Sequence, residues 1–458
     1  MRTLINEASN FYKKLILFSL FLIPNLTTPI KLVRTVASIL DRKVSKNLLL
    51  AIGISGYLIL FLITLNHKQA PLFDEVLFIP NVYLFEEYGL SKEFLLKIDN
   101  QAPGPLYQFI HYPLKSITNM TTPGIRLVNV FILGLIILLI SKIVSLIKNT
   151  SFKDAFIYSL NIVAVPMVWQ VSGMALTEVP AMLFATLAVL FMAIVLKYEK
   201  GSLSKSLCMS LLGGIALGFA ILGRSPFLLV AFAAGVLLLV DLKNINRWIS
   251  VAVFSISALA MCIPVFAIWE GLVPPQQAFV GAGGIVPWHG ILAFAYGALL
   301  IIIICPKWFF FNKKILIALI LSYCIILVLN ILVLGYKYYP LSEVLEKIFP
   351  REMMKIYPFL ISPLLATLAF YFLACCAVHA WNKRTEPLFL FILACGILIL
   401  STSFKVTHLF SSRYVAQAAP FFVMISPGFD DFTVSKVLRL IIGMAIGFLS
   451  LETYFLFQ

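Results

Sequence analysis

Long apolar runs recur from one end of this 458-residue chain to the other, and they constrain its fold more than any other feature. Each run has roughly 17 to 25 residues, which is long enough for an α-helix to cross a bilayer. Hydrophobic residues make up 61% of the chain and charged residues only 12%, whereas soluble domains carry about 25% charged residues. The runs are continuous rather than alternating, which argues against a β-barrel. The sequence therefore predicts an all-α polytopic membrane protein.

The apolar runs predict about thirteen transmembrane helices, with about eleven as a lower bound. The predicted spans are residues 47–65, 126–147, 154–171, 179–197, 206–222, 226–241, 248–268, 290–305, 315–335, 358–380, 387–404, 415–428 and 437–456. Between them, residues 82–98 and 336–357 of the outer loops have the mixed apolar and charged pattern of interfacial helices.

The net charge of the chain is +15, from 35 Lys and Arg against 20 Asp and Glu. With the N-terminus placed in the cytoplasm, the basic excess falls on the inner side of the membrane and the outer side is nearly neutral. This asymmetry is what the positive-inside rule predicts. The basic charge therefore orients the chain in its membrane, and we expect no nucleic-acid partner.

The chain divides into an N-terminal segment, residues 1–46, and a transmembrane region, residues 47–458, with no separate soluble domain. The N-terminal segment is basic and is predicted to be cytoplasmic and interfacial, with a short extra hairpin as the alternative. The longest segment outside the spans is the first outer loop, residues 66–125. Long loops with internal structure are usually functional, so we expect the chemistry on the outer face.

Three carboxylates of the outer face are candidates for catalysis. Asp74 and Glu75 lie in the first outer loop, just beyond the first span, and Glu178 lies in the short turn between two spans. A carboxylate at this depth can accept a proton from a hydroxyl group that attacks an activated carbon. The alternatives are a solvated loop for the Asp-Glu pair and an acidic first helical turn for Glu178, where the helix dipole favours an acid.

Cationic and aromatic residues on the same face could bind an anionic substrate. Arg224 follows one span, and Arg413 and Tyr414 enter another, with Lys405 and His408 shortly before them. Arginine binds phosphate through a planar fork and keeps its charge when partly buried. The alternative for each cation is contact with lipid headgroups at the end of a span.

The seven cysteines all lie within or at the edges of predicted spans, so no disulfide framework is expected. No cysteine and histidine spacing typical of a zinc site is present. The outer face offers no obvious set of metal ligands beyond Asp74, Glu75 and Glu178. We therefore predict no required cofactor and no required metal, although use of a divalent ion stays open.

Several motifs, taken in order, resemble the GT-C superfamily of integral-membrane glycosyltransferases, which use polyprenyl-phosphate sugars. The motifs are F-D-E, A-P-G-P-L-Y-Q-F-I, G-I-R-L-V-N-V-F, L-T-E-V-P-A-M, G-G-I-A-L-G-F-A-I-L-G-R-S-P-F and S-S-R-Y-V-A-Q-A-A-P-F-F. The order is similar to that of protein mannosyltransferases, of aminoarabinose transferases and of the dolichyl-phosphate-glucose glucosyltransferase. The resemblance spans most of residues 47–428.

The resemblance implies a role for each candidate residue. Asp74 would be the general base for the acceptor hydroxyl, Glu75 would support it, and Glu178 would help form the outer cavity. The phosphate of the lipid carrier would be bound by cations and a neighbouring tyrosine, namely Arg413, Arg224, Lys405 and Tyr414. The substrate cavity would be lined further by Tyr107, His111 and His408. The implied reaction inverts the anomeric centre in one displacement.

The expected partners are a polyprenyl-phosphate-linked sugar, a lipid, glycan or protein acceptor, and membrane lipids. A bacterial or archaeal cytoplasmic membrane is favoured, and the endoplasmic reticulum is the alternative location. Two other functions stay open from the residues alone: a transporter or flippase, and a polysaccharide ligase that acts on lipid-linked sugars. A transporter would need polar or broken-helix features near the middle of the membrane, and few are readable here.

Overall fold

The structure is a computed structural model, and it confirms the all-α polytopic class. The described residues are 38–197, 202–278, 283–338, 340, 346, 350–407, 409–429 and 432–456. Within these ranges the backbone is helical apart from turns, loops and one isolated antiparallel bridge between Lys43 and Thr433. The predicted interfacial segment lies mostly outside the described residues, because only its last nine residues, 38–46, belong to them.

The α-helices are numbered in chain order. They are α1 (Lys46–Asn66), α2 (Asp74–Tyr88), α3 (Lys92–Lys97), α4 (Leu106–His111), α5 (Lys115–Thr118), α6 (Gly124–Lys148), α7 (Phe152–Ser159), α8 (Pro166–Gly173), α9 (Glu178–Lys197), α10 (Leu203–Gly223), α11 (Leu228–Ala233), α12 (Val236–Val240), α13 (Ile245–Trp269), α14 (Pro287–Ile304), α15 (Lys313–Leu329), α16 (Arg351–Asn382), α17 (Pro387–Ser401), α18 (Arg413–Ala416), α19 (Ala419–Ile425) and α20 (Val434–Leu456). A π-helical turn, Asn330–Leu334, extends α15, and short 3-10 turns extend α7 and α17.

Ten of the helices in the described part of the chain are long and apolar enough to cross a membrane. They are α1, α6, α9, α10, α13, α14, α15 with its extension, α16, α17 with its extension, and α20. Their side chains form a continuous apolar core, in which α9 packs against α6 and α10, and α10 packs against α13. The chain is therefore an integral multi-pass membrane protein.

The predicted number of thirteen spans is not confirmed, because three of the predicted spans are short or broken helices. Residues Phe152–Ala164 and Pro166–Gly173 are bent by 82° against each other, and the pair counts as an eleventh span only if both parts are taken together. Pro166 lacks a backbone N–H and forces the preceding residue into extended geometry, which breaks the helix. The other two, Ser225–Val240 and Ala419–Gly428, have fewer than 18 residues.

The segment between α1 and α6 folds into four short helices rather than a simple loop. The single interfacial helix predicted over 82–98 is wrong, because α2 already begins at Asp74 and ends at Tyr88. Gly89 follows in a backbone conformation with φ of 59°, which a glycine adopts without strain and which stops the helix. Within the second predicted interfacial helix, 336–357, residues 339, 341–345 and 347–349 lie outside the described residues, and the last part, from Arg351, belongs to α16.

Charged side chains from distant helices converge where α1 ends and α6 begins. We call this the site end of the bundle. The other end, where α6 finishes at Lys148, is the opposite end. Because α6 has 25 residues, the two ends are separated by roughly 37 Å.

Candidate active site

Asp74 and Glu75 begin α2, and their side chains have different environments. The Asp74 side chain is 31% exposed, whereas the Glu75 side chain is completely buried. Consecutive residues of an α-helix point about 100° apart, so the two carboxylates face different surroundings. Asp74 therefore keeps access to a substrate, and Glu75 does not.

Glu75 is bound within the protein on both carboxylate oxygens. Arg126 of α6 donates from Nε to Oε1 at 2.9 Å and from Nη2 to Oε2 at 2.7 Å, and the arginine is also fully buried. The backbone N–H groups of Leu72 and Ala175 complete the set, at 2.9 and 2.7 Å. A buried charge pair of this kind is tolerated only when its remaining hydrogen-bonding positions are filled. Glu75 thus fixes the start of α2 against α6 and against the turn before α9.

That turn, residues 174–177, places Glu178 at the start of α9. Asn129 of α6 donates from Nδ2 to the carbonyl oxygens of Met174 and Leu176, both at 2.8 Å. Thr177, directly before α9, has a buried hydroxyl without a hydrogen-bond partner among the described residues. The turn is held by Asn129 and Glu75 instead, and Glu178 is left 1% exposed at the site end.

Two arginines surround Glu178 and connect it to Asp74. Arg224 lies directly after α10, and its Nη2 is 3.3 Å from Oε1 of Glu178. Arg413 begins α18, and its Nε is 3.8 Å from the same Glu178 oxygen, while its Nη1 donates a hydrogen bond to Oδ2 of Asp74. The ring of Tyr414 lies 5.8 Å from each guanidinium carbon. These contacts form one charged cluster, which we call the Asp74–Arg224 cluster. Its four members are Asp74 of α2, Glu178 of α9, Arg224 directly after α10, and Arg413 of α18.

The cluster is electrically balanced, and part of its hydrogen-bonding capacity is unused. Burial by itself lowers the pKa of Arg413, but the charges of Glu178 and Asp74 raise it by more, so the guanidinium stays protonated. Oε1 of Glu178 and the Nε atoms of Arg224 and Arg413 are buried and have no hydrogen-bond partner among the described residues. The two guanidinium groups are partly exposed, at 12% for Arg224 and 22% for Arg413, so they are suited to binding a phosphate group.

Tyr107 and His111 belong to α4, which packs against α2 and against the site-end termini of α9 and α10. Their rings stack with centroids 4.1 Å apart, and both side chains are buried. Burial, with a smaller contribution from the charge of Glu75, raises the pKa of Tyr107 well above its usual range. Burial lowers the pKa of His111 to about 3, so its ring is neutral. The Tyr107 hydroxyl and both His111 ring nitrogens have no partner among the described residues.

A buried amide network holds α4 in place. Gln108 donates to Oε1 of Gln101 at 2.7 Å, and Asn81 of α2 donates to the carbonyl oxygen of Asp99 at 2.8 Å. Gly104 lies so close to α10 that a Cβ atom there would be 2.3 Å from the carbonyl oxygen of Leu222. The A-P-G-P-L-Y-Q motif thus builds a rigid support beside the end of α10 that carries Arg224.

The remaining two candidates are Lys405 and His408, and Lys405 lies outside the cluster. Lys405 ends the 3-10 turn after α17 and is exposed, and none of the ion pairs found among the described residues involves it. His408 lies outside the described residues. No group of three or more His, Cys, Asp or Glu side chains within the described ranges is arranged to hold a metal ion.

Sequence reasoning did not single out Arg126, Asn129, Asn81, Gln101 or Gln108 as site residues. Arg126 and Asn129 were visible in the motif R-L-V-N at the start of a span. Both are polar residues in an apolar segment, where burial requires a partner. Polar residues within an apolar segment could therefore have indicated the supporting role of Arg126 and Asn129. The hydrogen bonds among Asn81, Gln101 and Gln108 depend on contacts within the loop, which sequence spacing does not reveal.

The fold and the site define a class of protein. It is a multi-pass helical membrane protein in which two carboxylates and two arginines from distant segments meet at one end of the bundle. Residues 90–270 match the family model described as dolichyl-phosphate-mannose-protein mannosyltransferase. This match confirms the predicted resemblance to the GT-C membrane glycosyltransferases, and with it the enzyme class. The matched range contains Arg126, Glu178 and Arg224, whereas Asp74 and Arg413 lie outside it.

Several solved structures resemble the chain, among them the following two. One is the crystal structure of ArnT from Cupriavidus metallidurans bound to undecaprenyl phosphate, with 13% identity and a TM-score of 0.42, over 88% of this chain and 77% of that chain. The other is the apo oligosaccharyltransferase of Archaeoglobus fulgidus, with 13% identity and a TM-score of 0.47, over 88% and 55% of the two chains. The present chain therefore spans about half the length of the archaeal enzyme. No curated protein sequence matches the chain.

Proposed function

We propose that the protein transfers a sugar from a polyprenyl-phosphate carrier to an acceptor hydroxyl, and that Asp74 is the general base. The observation that carries this proposal is the Asp74–Arg224 cluster. It joins one partly exposed carboxylate, Asp74, to two partly exposed arginines, Arg413 and Arg224. A carboxylate that is within hydrogen-bonding reach of an acceptor hydroxyl can take its proton.

The reaction proceeds as one displacement that inverts the anomeric carbon. The acceptor oxygen forms a bond to that carbon while its proton passes to Asp74. The bond between the carbon and the phosphate oxygen breaks, and the electron pair leaves with the polyprenyl phosphate. Arg413 and Arg224 stabilise the phosphate charge, which is the kind of interaction that contributes most in a site of low dielectric constant. Glu178 lies beside both arginines and holds them next to each other.

The orientation in the membrane follows from the charge distribution of the sequence. The N-terminus and the basic loops lie on the cytoplasmic side, and the site end lies on the opposite face. There the prenyl tail stays in the bilayer while the sugar reaches Asp74. We place the protein in a bacterial or archaeal cytoplasmic membrane. The reaction needs no metal, so transfer continues in the presence of a chelator such as EDTA.

The test uses purified protein in nanodiscs with a panel of polyprenyl-phosphate sugars that carry mannose, glucose or aminoarabinose. Because the family match is named for protein mannosylation, a peptide containing serine and threonine joins a lipid and a glycan extract as acceptors. We expect transfer by the wild type and inversion of the anomeric centre in the product. Absence of transfer from every donor, with movement of the lipid-linked sugar across a vesicle membrane, would show that the protein is a transporter.

A further inference from the structure

A cleft of about 730 Å³ lies at the opposite end of the bundle, remote from the Asp74–Arg224 cluster. Its walls come from four parts of the chain: the ends of α6 and α9, the turn between α16 and α17 with the start of α17, and α19 with the turn after it. A volume of this size is typical of sites that bind small molecules. The cleft therefore has room for a ligand that the proposed reaction does not use.

The charged side chains of the cleft are mainly basic. Lys148, Lys197 and Lys383 line it, and Glu386 is the one acidic residue of its lining. Lys383 lies 2.9 Å from Glu386, so these two charges compensate each other. Neither Lys148 nor Lys197 has an ion pair among the described residues. Glu386 also attracts Lys148, so three lysines share one carboxylate and a net charge of +2 faces the cleft.

The rest of the lining is apolar and belongs to the ends of membrane-spanning helices. Leu146, Leu196, Leu388 and Met424 contribute side chains to the wall. The cleft thus combines lysines at the level where lipid headgroups lie with apolar walls that continue toward the membrane interior. A free phosphate ion would use only the lysines, whereas a phospholipid would use both.

We propose that this cleft binds the headgroup of an anionic membrane phospholipid. Lys148 and Lys197 bind the phosphate diester, and the apolar walls contact the glycerol and the first methylene groups of the acyl chains. Basic pockets between transmembrane helices on the inner side of a membrane bind anionic headgroups by this combination. The site lies about 37 Å from the candidate active site, so it is independent of the proposed glycosyl transfer.

The first test measures binding by native mass spectrometry of the delipidated protein. Dioctanoyl phosphatidylglycerol and dioctanoyl phosphatidylcholine serve as the lipids, because they differ in headgroup charge and share their acyl chains. We expect the wild type to prefer phosphatidylglycerol. The double variant Lys148→Gln/Lys197→Gln should lose about 25-fold in affinity for it, since each lysine near an anionic headgroup contributes roughly fivefold. An unchanged affinity in this variant would overturn the proposal.

A matched control removes two positive charges from the same end but outside the cleft. Lys142 and Lys153 are exposed and are not part of the lining, so Lys142→Gln/Lys153→Gln should bind phosphatidylglycerol as the wild type does. An equal loss in both double variants would mean that net charge alone attracts the lipid, which contradicts a specific site. Displacement of the lipid by millimolar inorganic phosphate would show a free-anion site and would also overturn the assignment.

A second variant tests the cleft without changing its charge. A Cβ atom added at Gly428 would lie 3.4 Å from Nζ of Lys148, which is ordinary contact. Gly428→Leu therefore places a side chain in the cleft and leaves all three lysines in place. We expect a lower affinity for phosphatidylglycerol with an unchanged thermal unfolding midpoint. If the affinity stays at the wild-type value, the lysines only compensate the dipoles of the helix ends at which they lie.

Discussion

Arg413 donates a hydrogen bond to Asp74 across 339 residues of sequence. The same guanidinium lies 3.8 Å from Glu178, so the Arg413 side chain connects Asp74 with Glu178. Arg413 thereby orients the Asp74 carboxylate. A general base must be held within reach of the proton that it accepts.

Replacing Asp74 by Asn tests its role as the base. The amide keeps the size of the side chain but cannot accept the proton, so we expect sugar transfer to fall by at least about 100-fold. Donor binding should be retained, because the arginines are still present. Both are measured with purified protein, by product formation and by equilibrium binding of the polyprenyl-phosphate sugar.

Glu86 offers a control for this substitution. It belongs to the same helix as Asp74 and forms an exposed ion pair with Lys115. Exposed pairs contribute little, so Glu86→Gln should retain transfer within about twofold of the wild type. Equal transfer by wild type and Asp74→Asn would remove Asp74 from the mechanism.

Arg413 and Lys405 should respond differently to loss of charge. Arg413 contacts both carboxylates of the cluster, so Arg413→Gln should lower the rate of transfer by about 100- to 1000-fold. Lys405 is exposed and lies outside the cluster, so Lys405→Gln should change the rate by no more than about twofold. The comparison is made at saturating donor. A large loss in Lys405→Gln would show that the lysine reaches the phosphate during the reaction.

His111 should make the stability of the protein depend on pH. Burial lowers its folded-state pKa to about 3 from an ordinary value of 6.5. Between these values the unfolded chain binds a proton that the folded chain does not, so the free energy of unfolding falls as the pH falls. This contribution is fully present above pH 6.5 and decreases by up to about 1.4 kcal/mol per pH unit below it.

The variant His111→Phe isolates that contribution. Neither ring nitrogen of His111 has a partner, and phenylalanine keeps the stacking on Tyr107. The unfolding midpoint of the variant, measured between pH 7 and pH 4, should therefore decline less steeply than that of the wild type. Parallel curves for the two proteins would mean that His111 is protonated in the folded state.

The sequence was enough to find the fold class and the members of the cluster, because charges stand out in apolar segments and lie at predictable span ends. The residue pattern by itself did not separate Glu75 from Asp74, and their different roles came from the family resemblance alone. The two are adjacent, and only the burial of Arg126 shows that Glu75 is held internally. It also did not show the 82° bend at Pro166, since the apolar pattern continues through the break. Lys405 and Arg413 had similar sequence environments, and only tertiary contacts distinguish them.

The ion pair between Glu75 and Arg126 should contribute mainly to the free energy of unfolding rather than directly to catalysis. Both side chains are fully buried, so Arg126→Leu leaves an unpaired carboxylate in the protein and should cost about 3–5 kcal/mol of unfolding free energy. Asp74→Asn should cost far less, because Asp74 is partly exposed. The double variant Glu75→Leu/Arg126→Leu removes both charges and should recover part of the loss. These values are measured by equilibrium unfolding in mixed micelles. A double variant less stable than Arg126→Leu would show that the four hydrogen bonds, rather than the unpaired charge, dominate the energetics of this contact.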